Sequence, residues 1–150
     1  MDAMVSVDDE IRTVNSVEEI QSCYQVLKQL RPHLTSEGAF VEQIQRQLAQ
    51  GYKLVVCLKG EQVKACIGFR FLEFLAWGKV LYVDDLITDS EARKNGCGTK
   101  LLKWVIGLAK RENCDQVHLD SGPQRHEAHR LYLNHGFKII GYHFAIDFKG

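Results

Sequence analysis

The sequence predicts a single α+β (mixed α/β) domain in which four helices flank a central mixed sheet of about six strands. Apolar residues at helical spacing mark the segments 16–30 and 37–50, and three β-rich runs follow over 52–88. A glycine-containing loop then joins the last of these runs to another amphipathic helix. Because a strand–helix–strand connection places its two strands in parallel, the sheet is expected to be mixed.

The first half of the chain is predicted to hold a strand, two helices and a hairpin of strands. Ser16 and Glu19 have the spacing of a helix-capping box, and either Thr35 or Ser36 caps the second helix. A turn at Gly60 joins the two hairpin strands. The predicted elements are Glu10–Val14, Ser16–Leu30, Glu37–Gln50, Tyr52–Leu58 and Gln62–Leu75.

The second half is predicted to alternate strands with helices, so that the whole order is β-α-α-β-β-β-α-β-α-β. Gly122-Pro123 is expected to start the last helix, because proline is tolerated in the first helical turn. The predicted elements are the strand Lys79–Thr88, the helix Gly96–Asn113, the strand Asp115–Ser121, a helix ending near Asn134, and the strand Lys138–Phe148.

Composition narrows the class of protein. The chain has 150 residues, 45% of them hydrophobic and 25% charged, with a formal net charge of +0. This balance is typical of one soluble domain and argues against nucleic-acid or membrane binding through bulk charge. No apolar run approaches the ~20 residues of a membrane span, and the acidic start is unlike a signal peptide. We therefore predict a cytoplasmic domain over residues 1–150, with a flexible N-terminus over residues 1–9.

The residues that carry chemistry concentrate around one strand-to-helix junction. A predicted strand ends there, a short polar loop with Gly96 and Gly98 follows, and a helix begins. Unpaired N–H groups at a helix N-terminus attract anions, and glycines let a ligand approach the backbone closely. Asp84 and Asp85 lie on the strand just upstream. A carboxylate pair beside an anion site indicates chemistry on a phosphate-bearing cofactor.

Two nucleotide-binding motifs fail at this junction. A Walker A loop requires Gly-Lys followed by Ser or Thr, whereas this chain has Gly98-Thr99-Lys100. A dinucleotide-binding fingerprint requires a third glycine, and Leu101 stands at that position. The junction therefore calls for a different kind of phosphate-bearing ligand.

Three sequence blocks resemble the GCN5-related N-acetyltransferase (GNAT) family. Arg93-Lys-Asn-Gly96-Cys-Gly98 matches the family signature Arg/Gln-x-x-Gly-x-Gly/Ala between a strand and a helix. Ala128–Phe137 resembles the family's Ala-x-x-Leu/Phe-Tyr-x-x-x-Gly-Phe helix end, and Tyr82–Leu86 resembles its Tyr-Ile/Leu/Val-Glu-Asp-Leu strand. The resemblance covers about residues 10–148 and is strongest over 80–137. It implies a GNAT-like fold that uses acetyl-CoA as co-substrate.

The resemblance also implies which residues bind acetyl-CoA. It assigns the pyrophosphate to backbone N–H groups of the glycine loop. It assigns the pantetheine and acetyl groups to strand backbone, where a bulge frees polar groups and one N–H holds the thioester oxygen as negative charge develops. The implied cofactor-binding residues are Leu86, Ile87, Thr88, Arg93, Lys94, Asn95, Gly96, Cys97, Gly98, Thr99 and Arg125.

Tyr132 and Asp84 are the catalytic residues that the resemblance implies. Tyr132 would protonate the leaving thiolate, and its alternative role is that of a core residue. Asp84 aligns with a glutamate that serves as base in some relatives, so either Asp84 or a water removes the amine proton. Strand alternation places Asp84 and Asp85 on opposite faces unless a bulge intervenes, so Asp85 is assigned to a cationic substrate or a loop anchor. In the structural alternative, both carboxylates pair with Arg or Lys.

Two features depart from the family pattern. Arg125 occupies a position where many relatives have asparagine, and it shares a helical face with Ala128 and Tyr132, from which it could reach a phosphate. The last strand lacks the family's closing hairpin. A second subunit at an exposed sheet edge would complete the sheet differently, so a homodimer is compatible with the pattern.

The cysteines and histidines predict no metal site. The 5 cysteines include no Cys-x-x-Cys pair, and His126-Glu-Ala-His129 lacks the zinc-protease spacing. Cys97 is either a thiol activated by the helix N-terminus or, as favoured here, a small residue between two glycines. His118 and Asp120 alternate onto one strand face with Gln116, and we expect them to contact the substrate.

The predicted function is transfer of an acetyl group from acetyl-CoA to a primary amine by direct attack, with no covalent enzyme intermediate. Acidic residues at Glu73, Asp84 and Asp85 favour a small cationic amine as acceptor. One alternative is a non-catalytic acyl-CoA-binding or regulatory module on the same fold. The other is a protein lysine or N-terminal acetyltransferase.

Overall fold

The computed structural model describes residues 9–149, apart from the side chain of Lys94. The chain divides into two compact units, with the boundary between His118 and Leu119. Residues 1–8 of the predicted flexible N-terminus lie outside the described residues. The strands are β1 (Glu10–Thr13), β2 (Lys53–Lys59), β3 (Gln62–Phe74), β4 (Gly78–Thr88) and β5 (Gln116–Leu119). The helices are α1 (Val17–Ser22), α2 (Tyr24–Leu30), α3 (Glu37–Ala49), α4 (Cys97–Arg111) and α5 (His126–Asn134). None of these helices is long and apolar enough to cross a membrane.

A five-stranded mixed sheet in the order β1-β2-β3-β4-β5 organises the first unit. The first four strands pair antiparallel with their neighbours. The N–H of Asp115 donates to the carbonyl of Lys79 at 2.7 Å. Three residues further along each strand, the rings of His118 and Tyr82 lie 6.2 Å apart. β5 therefore runs parallel to β4, as the intervening helix predicts.

Helices α1 to α3 cover one face of this sheet. The Ser16 hydroxyl accepts from the Glu19 N–H at 3.1 Å and the Glu19 carboxylate accepts from the Ser16 N–H at 2.9 Å, which confirms the capping box. Ser36, rather than Thr35, caps α3 by accepting from the Ala39 N–H at 3.2 Å. The core on this face includes Ile20, Tyr24, Leu27, Phe40, Ile44, Tyr52, Leu54, Val56 and Ile87.

The single helix predicted over residues 16–30 is interrupted at Cys23. The Cys23 N–H donates to the carbonyl of Ile20 at 3.0 Å, which is one residue short of the α-helical partner. The Cys23 thiol lies 3.4 Å from the Glu19 carbonyl, a local bond of the kind that bends helices. The chain continues as α2 without a side-chain cap.

Helix α4 covers the opposite face of the sheet. Its predicted apolar stripe is buried there, namely Leu101, Leu102, Val105 and Ala109. The Phe69 ring of β3 packs edge-on against Trp104 of α4, with centroids 6.3 Å apart. A 3₁₀ helix (Ser90–Asn95) occupies the predicted polar loop and connects β4 to α4. The packing of α4 thus fixes where the glycine loop lies relative to the end of β4.

The second unit begins at Leu119 and contains α5. The predicted helix start at Gly122-Pro123 is wrong, because this stretch forms a turn in which the Arg125 N–H donates to the Gly122 carbonyl at 3.1 Å. Helix α5 starts only after that turn, at His126. Tyr132 and Phe137 pack edge to face, with ring centroids 5.9 Å apart.

The predicted final strand over Lys138–Phe148 is also wrong in the described chain. This segment pairs with no strand of the described sheet, and a strand requires a hydrogen-bonded neighbour. Its alternating apolar side chains are between 65% and 93% exposed, namely Ile140, Tyr142, Phe144, Ile146 and Phe148. The alternation of apolar and polar residues that predicted this strand is therefore present, but the segment forms no strand. The described sheet has five strands instead of about six.

Gly68 of β3 packs directly against the ring of Tyr52, and this contact yields a stability prediction. A Cβ at position 68 would overlap the Tyr52 hydroxyl, and Tyr52 is only 2% exposed. We expect Gly68→Ala to lower the free energy of unfolding by about 2 kcal/mol, as overpacking of a filled interior does. Urea unfolding at neutral pH measures this change.

Gly38→Ala in α3 is the matched control. The new methyl group would meet only the Ser36 hydroxyl oxygen, at 4.0 Å. We expect it to raise the free energy of unfolding by about 0.5 kcal/mol, because alanine restricts the unfolded chain. If Gly68→Ala were as stable as the wild type, the packing assigned to Tyr52 would be wrong.

Candidate active site

A β-bulge in β4 positions the two carboxylates. The register between β3 and β4 shifts between Gly68 and Phe69, which leaves Asp84 as the extra residue on β4. The bulge expected at Leu86–Thr88 is misplaced, because these three residues pair in register with β3. The irregularity in the strand therefore lies at the carboxylates themselves.

Arg70 of β3 holds the Asp84 carboxylate. Its Nε and Nη2 atoms lie 2.9 Å and 2.7 Å from Asp84 Oδ2. Burial raises the pKa of Asp84, the hydrogen bond and charge of Arg70 oppose this rise, and the nearby charge of Asp85 adds to it. A carboxylate with a raised pKa is a better proton acceptor near neutral pH.

Two other residues hold Asp85. The Tyr52 hydroxyl donates to Asp85 Oδ2 at 2.7 Å. Arg31, directly after α2, donates from Nε and Nη2 to Asp85 Oδ1 at 3.0 Å and 2.9 Å. Burial and then the charge of Asp85 raise the pKa of Tyr52 well above its ordinary value, so its hydroxyl remains a donor. Both oxygens of Asp85 are thus occupied by protein donors.

Asp84 and Asp85 lie on the same face of the sheet, the face covered by α1 to α3. The Arg70 guanidinium lies over the Tyr52 ring, 5.3 Å from its centroid, and Tyr52 belongs to the core on that face. The alternation that would separate the two carboxylates is interrupted by the bulge at Asp84, which is the exception that the sequence analysis allowed. The predicted structural alternative, in which both pair with a cation, describes their contacts.

The start of α4 presents backbone N–H groups for an anion. Gly96 is the N-cap residue, with a left-handed φ of 77° that favours glycine, and no side chain caps the helix. The first intrahelical bond runs from the Lys100 N–H to the Gly96 carbonyl at 3.0 Å. The N–H groups of Cys97, Gly98 and Thr99 therefore lack intrahelical acceptors at the positive end of the helix dipole.

Backbone groups at the end of β4 lie next to this helix start. A Cβ at Gly98 would approach Thr88 Oγ1 to 2.6 Å, so glycine is needed for α4 to pack this closely on β4. β5 begins beside Lys79 and spans only four residues, which brings it alongside the first part of β4. Among the described residues, no strand flanks the outer edge of Leu86–Thr88, which leaves backbone groups there for a ligand.

The charged side chains around the loop have different surroundings. Arg93 and Asn95 are exposed beside the helix start. Lys100 is paired with Asp9, with its Nζ 2.6 Å from Asp9 Oδ2. Arg93 thus remains an exposed cation near the helix start, whereas Lys100 is paired.

Cys97 is a buried residue rather than a surface nucleophile. It is 0% exposed, as is Cys57 of β2. Burial raises the pKa of Cys57 to about 12, and a hydrogen bond with Cys97 adds to the increase. These contacts favour the interpretation of Cys97 as a small residue between two glycines.

His118 of β5 is part of an aromatic stack. Its ring lies 4.0 Å from the Trp77 ring at an interplanar angle of 29°, and its Nε2 contacts Gln116 Oε1. Burial lowers the pKa of His118, so the imidazole is neutral at pH 7. As a substrate contact, His118 would offer an uncharged ring.

The second unit holds Tyr132, Arg125 and Asp120. Tyr132 is 6% exposed, and burial raises its pKa, whereas the charge and hydrogen bond of Arg125 oppose the increase. The hydroxyl is therefore protonated at neutral pH, with a guanidinium beside it. The Asp120 Oδ1 atom lies 3.5 Å from Nδ1 of His143.

Three residues that hold the carboxylates escaped the sequence analysis: Arg31, Tyr52 and Arg70. They contact Asp84 and Asp85 from separate elements, and Arg31 and Tyr52 lie 54 and 33 positions away from Asp85 in the chain. The only signal for them was the general need of buried carboxylates for cationic partners.

The sequence matches the profile of the family described as "Acetyltransferase (GNAT) family" over residues 17–137. The uncharacterized N-acetyltransferase YhdJ of Bacillus subtilis (strain 168) is 28% identical over 136 residues, which cover 89% of this chain and 95% of that protein. This relative thus matches the chain over nearly its whole length.

Solved structures of similar fold cover nearly the whole chain. A GNAT family acetyltransferase of Staphylococcus aureus has a TM-score of 0.78 at 20% identity and covers 95% of this chain and 99% of its own. The aminoglycoside N-acetyltransferase AAC(6')-Iy, solved in complex with CoA, has a TM-score of 0.79 at 14% identity, with coverages of 93% and 94%.

The Tyr52 hydrogen bond can be tested by removing its donor. We expect Tyr52→Phe to lower the free energy of unfolding by about 2 kcal/mol, because the acceptor is a charged carboxylate. Tyr24→Phe is the control, since the Tyr24 hydroxyl donates to the neutral carbonyl of Leu34 at 2.9 Å. Its expected cost is about 1 kcal/mol. Equal costs in urea unfolding at neutral pH would argue against a charged acceptor at Asp85.

Proposed function

Because the chain belongs to the GNAT acetyltransferase family, we propose that it transfers the acetyl group of acetyl-CoA to a primary amine of a small molecule. The observation that carries this proposal is the start of α4, which has no side-chain cap and follows the strand that holds the bulged carboxylates. An anion site for a cofactor and a proton acceptor for a nucleophile thus follow each other along one strand-to-helix connection.

The cofactor would bind along the end of β4 and the start of α4. The N–H groups of Cys97, Gly98 and Thr99 suit the pyrophosphate, and the exposed Arg93 adds positive charge. The open edge of Leu86–Thr88 suits the pantetheine arm, and an N–H there would stabilise the oxyanion. The CoA complex of the structurally similar aminoglycoside N-acetyltransferase supports the choice of cofactor.

Asp84 is the proposed base. Both Arg70 contacts go to Oδ2, and no hydrogen bond from the described residues reaches Oδ1. That oxygen can accept a proton from the ammonium substrate, directly or through a water, before the amine attacks the thioester carbon. In Asp85, by contrast, both oxygens accept hydrogen bonds, one from Arg31 and the other from Tyr52. We therefore assign Asp85 to anchoring the end of α2.

The pairing also bears on the acceptor. Arg70 and Arg31 offset the charges of Asp84 and Asp85, so the pair brings no net negative charge to the site. The sequence suggested a cationic acceptor because of these acidic residues, but their pairing with arginines removes that reason. We therefore propose only that the acceptor is a primary amine.

Tyr132 is the proposed acid. After the tetrahedral intermediate collapses, its hydroxyl would protonate the departing CoA thiolate. Burial keeps this phenol protonated, and the hydrogen bond from Arg125 stabilises the phenolate that the transfer leaves behind. The position of Tyr132 in the family-like helix end supports this role.

The acid role predicts a kinetic defect in Tyr132→Phe. We expect turnover to fall by about 10²-fold, because general acid catalysis typically contributes at least this much. The dissociation constant for acetyl-CoA should stay unchanged, since the ring remains in place. Release of CoA thiol measures turnover, and calorimetry measures binding. Tyr142→Phe, at a side chain that is 91% exposed, is the control, and wild-type turnover in Tyr132→Phe would exclude the role.

The base role predicts a shift in the pH dependence of kcat/KM. Activity should fall as pH drops through the pKa of Asp84, at a pH above the ordinary aspartate value of 3.8, because burial raises this pKa. Arg70 lowers the pKa, so Arg70→Gln should move the acid limb to higher pH. Arg31→Gln is the control, and it should move the acid limb in the same direction by less, because the charge of Arg31 lowers the pKa of Asp84 less than Arg70 does. An acid limb that survives unchanged in Asp84→Asn would assign it to another group.

The overall proposal is tested by supplying acetyl-CoA with polyamines, aminoglycosides, amino acids and peptides and following thiol release. Release with any small amine, together with an acetylated product by mass spectrometry, would support it. Tight acetyl-CoA binding without release across this panel would favour the non-catalytic module. Activity only on peptides would favour a protein acetyltransferase.

A further inference from the structure

Three side chains that can bind a metal converge on the α4 face of the sheet, the face opposite the carboxylate pair. The Sγ atoms of Cys57 and Cys97 and a carboxylate oxygen of Asp9 all lie within 4.8 Å of one another. Cys57 belongs to β2, Cys97 to the first turn of α4, and Asp9 directly precedes β1. The three positions form no sequence motif and are assembled by the fold.

The sheet register explains why these side chains meet. Ile11 of β1 pairs with Cys57 of β2. Asp9 precedes Ile11 by two residues, so its side chain projects to the same face as Cys57. Helix α4 packs on this face and begins at Cys97, which brings the second thiol over the sheet.

The cluster is enclosed by the protein. Both thiols are 0% exposed, and the Asp9 side chain is 10% exposed. A carboxylate this deeply buried requires a compensating charge, which Lys100 supplies with its Nζ 2.6 Å from Asp9 Oδ2. Cys97 Sγ lies 4.0 Å from the same oxygen. An anionic oxygen is thus held beside two thiols in an enclosed space.

We propose that Asp9, Cys57 and Cys97 bind a thiophilic divalent cation of the zinc type. Zinc takes cysteine sulfur at about 2.3 Å and carboxylate oxygen at about 2.0–2.2 Å, so ligand atoms in a tetrahedral cage lie roughly 3.5–3.8 Å apart. The ligand atoms in this cluster lie within 4.8 Å of one another, so metal binding would draw the three side chains closer together. As each sulfur–metal bond forms, one thiol proton passes to solvent.

Charge balance favours a dication over a monovalent soft metal. Two cysteines that bind a metal as thiolates contribute two negative charges, and the Asp9 carboxylate is paired with Lys100. A dication that replaces two thiol protons leaves the net charge at zero, whereas monovalent copper would leave the enclosed site negative. Hard cations such as magnesium prefer oxygen ligands and would not use the two sulfurs.

Metal at this site would tie the glycine loop to the sheet. Cys97 lies between Gly96 and Gly98, whose backbone is proposed to hold the cofactor pyrophosphate. The metal would link this loop through Cys97 to β2 and to Asp9, the residue directly before β1. This consequence rests on the proposed function, but metal binding itself does not.

A second pair of buried cysteines provides an internal control. Cys23 and Cys66 are both 0% exposed and hydrogen bond to each other on the α1–α3 face. Among the described residues, they form no cluster with a third metal-binding side chain. The two pairs therefore differ in whether a carboxylate oxygen lies within 4.8 Å of both sulfur atoms.

The test uses the full chain, reduced with a phosphine and freed of metal. Zn²⁺ is titrated in competition with a chromophoric chelator, protons are counted in weak buffer, and Co²⁺ reports thiolate ligation through its charge-transfer absorption. We expect one equivalent of zinc, two protons released and a rise in the melting temperature. Cys57→Ser, Cys97→Ser and Asp9→Asn should each lose stoichiometric binding, whereas Cys66→Ser should keep it.

Three results would overturn the proposal. They are failure of the folded wild type to compete for Zn²⁺, binding that survives in Cys57→Ser and Cys97→Ser, and release of fewer than two protons per metal. Cys97→Ala keeps the apolar volume of the site and serves if a serine variant does not fold. None of these measurements uses acetyl-CoA, so their outcome is independent of the acetyltransferase proposal.

Discussion

Two adjacent carboxylates on one sheet face repel each other and lose hydration. The structure around β4 depends on the cations and donors that compensate for this repulsion and this loss of hydration. The bulge at Asp84 turns the pair to the same side. Arg70 and Arg31 then supply one cation to each carboxylate, and Tyr52 adds a protonated donor. Because Arg31 also bonds the Asp84 carbonyl, the same contacts join the end of α2 to the bulged strand.

The two carboxylates have different numbers of hydrogen-bond donors, and this difference underlies the different roles proposed for them. Both oxygens of Asp85 accept hydrogen bonds from protein donors, Arg31 and Tyr52. Asp84 gives one oxygen to Arg70, and burial raises its pKa despite that contact. Two identical side chains thus have different surroundings, and only Asp84 is proposed as the proton acceptor.

Several sequence signals that depend on interactions within a few residues predicted the structure correctly. The Ser16–Glu19 capping box, the apolar stripe of α4 and the glycine start of that helix all occur as predicted. Two local predictions were wrong, namely the unbroken helix over residues 16–30 and the helix start at Gly122-Pro123, and the other errors concern non-local partners. The strand predicted over Lys138–Phe148 has the right alternation but no hydrogen-bonded neighbour in the described sheet. The bulge was expected too late in β4, because register depends on both strands.

The sequence by itself determined the family, the helix start at Gly96 and Gly98 that is proposed to bind phosphate, and the candidate groups Asp84 and Tyr132, because each depends on residue types at fixed short spacings. Only the tertiary structure decided which face each carboxylate occupies, since one extra residue in a strand reverses the alternation. It alone brought Arg31, Tyr52 and Arg70 to the carboxylates. It also gathered Asp9 with two distant cysteines, because strand register and helix packing set such contacts.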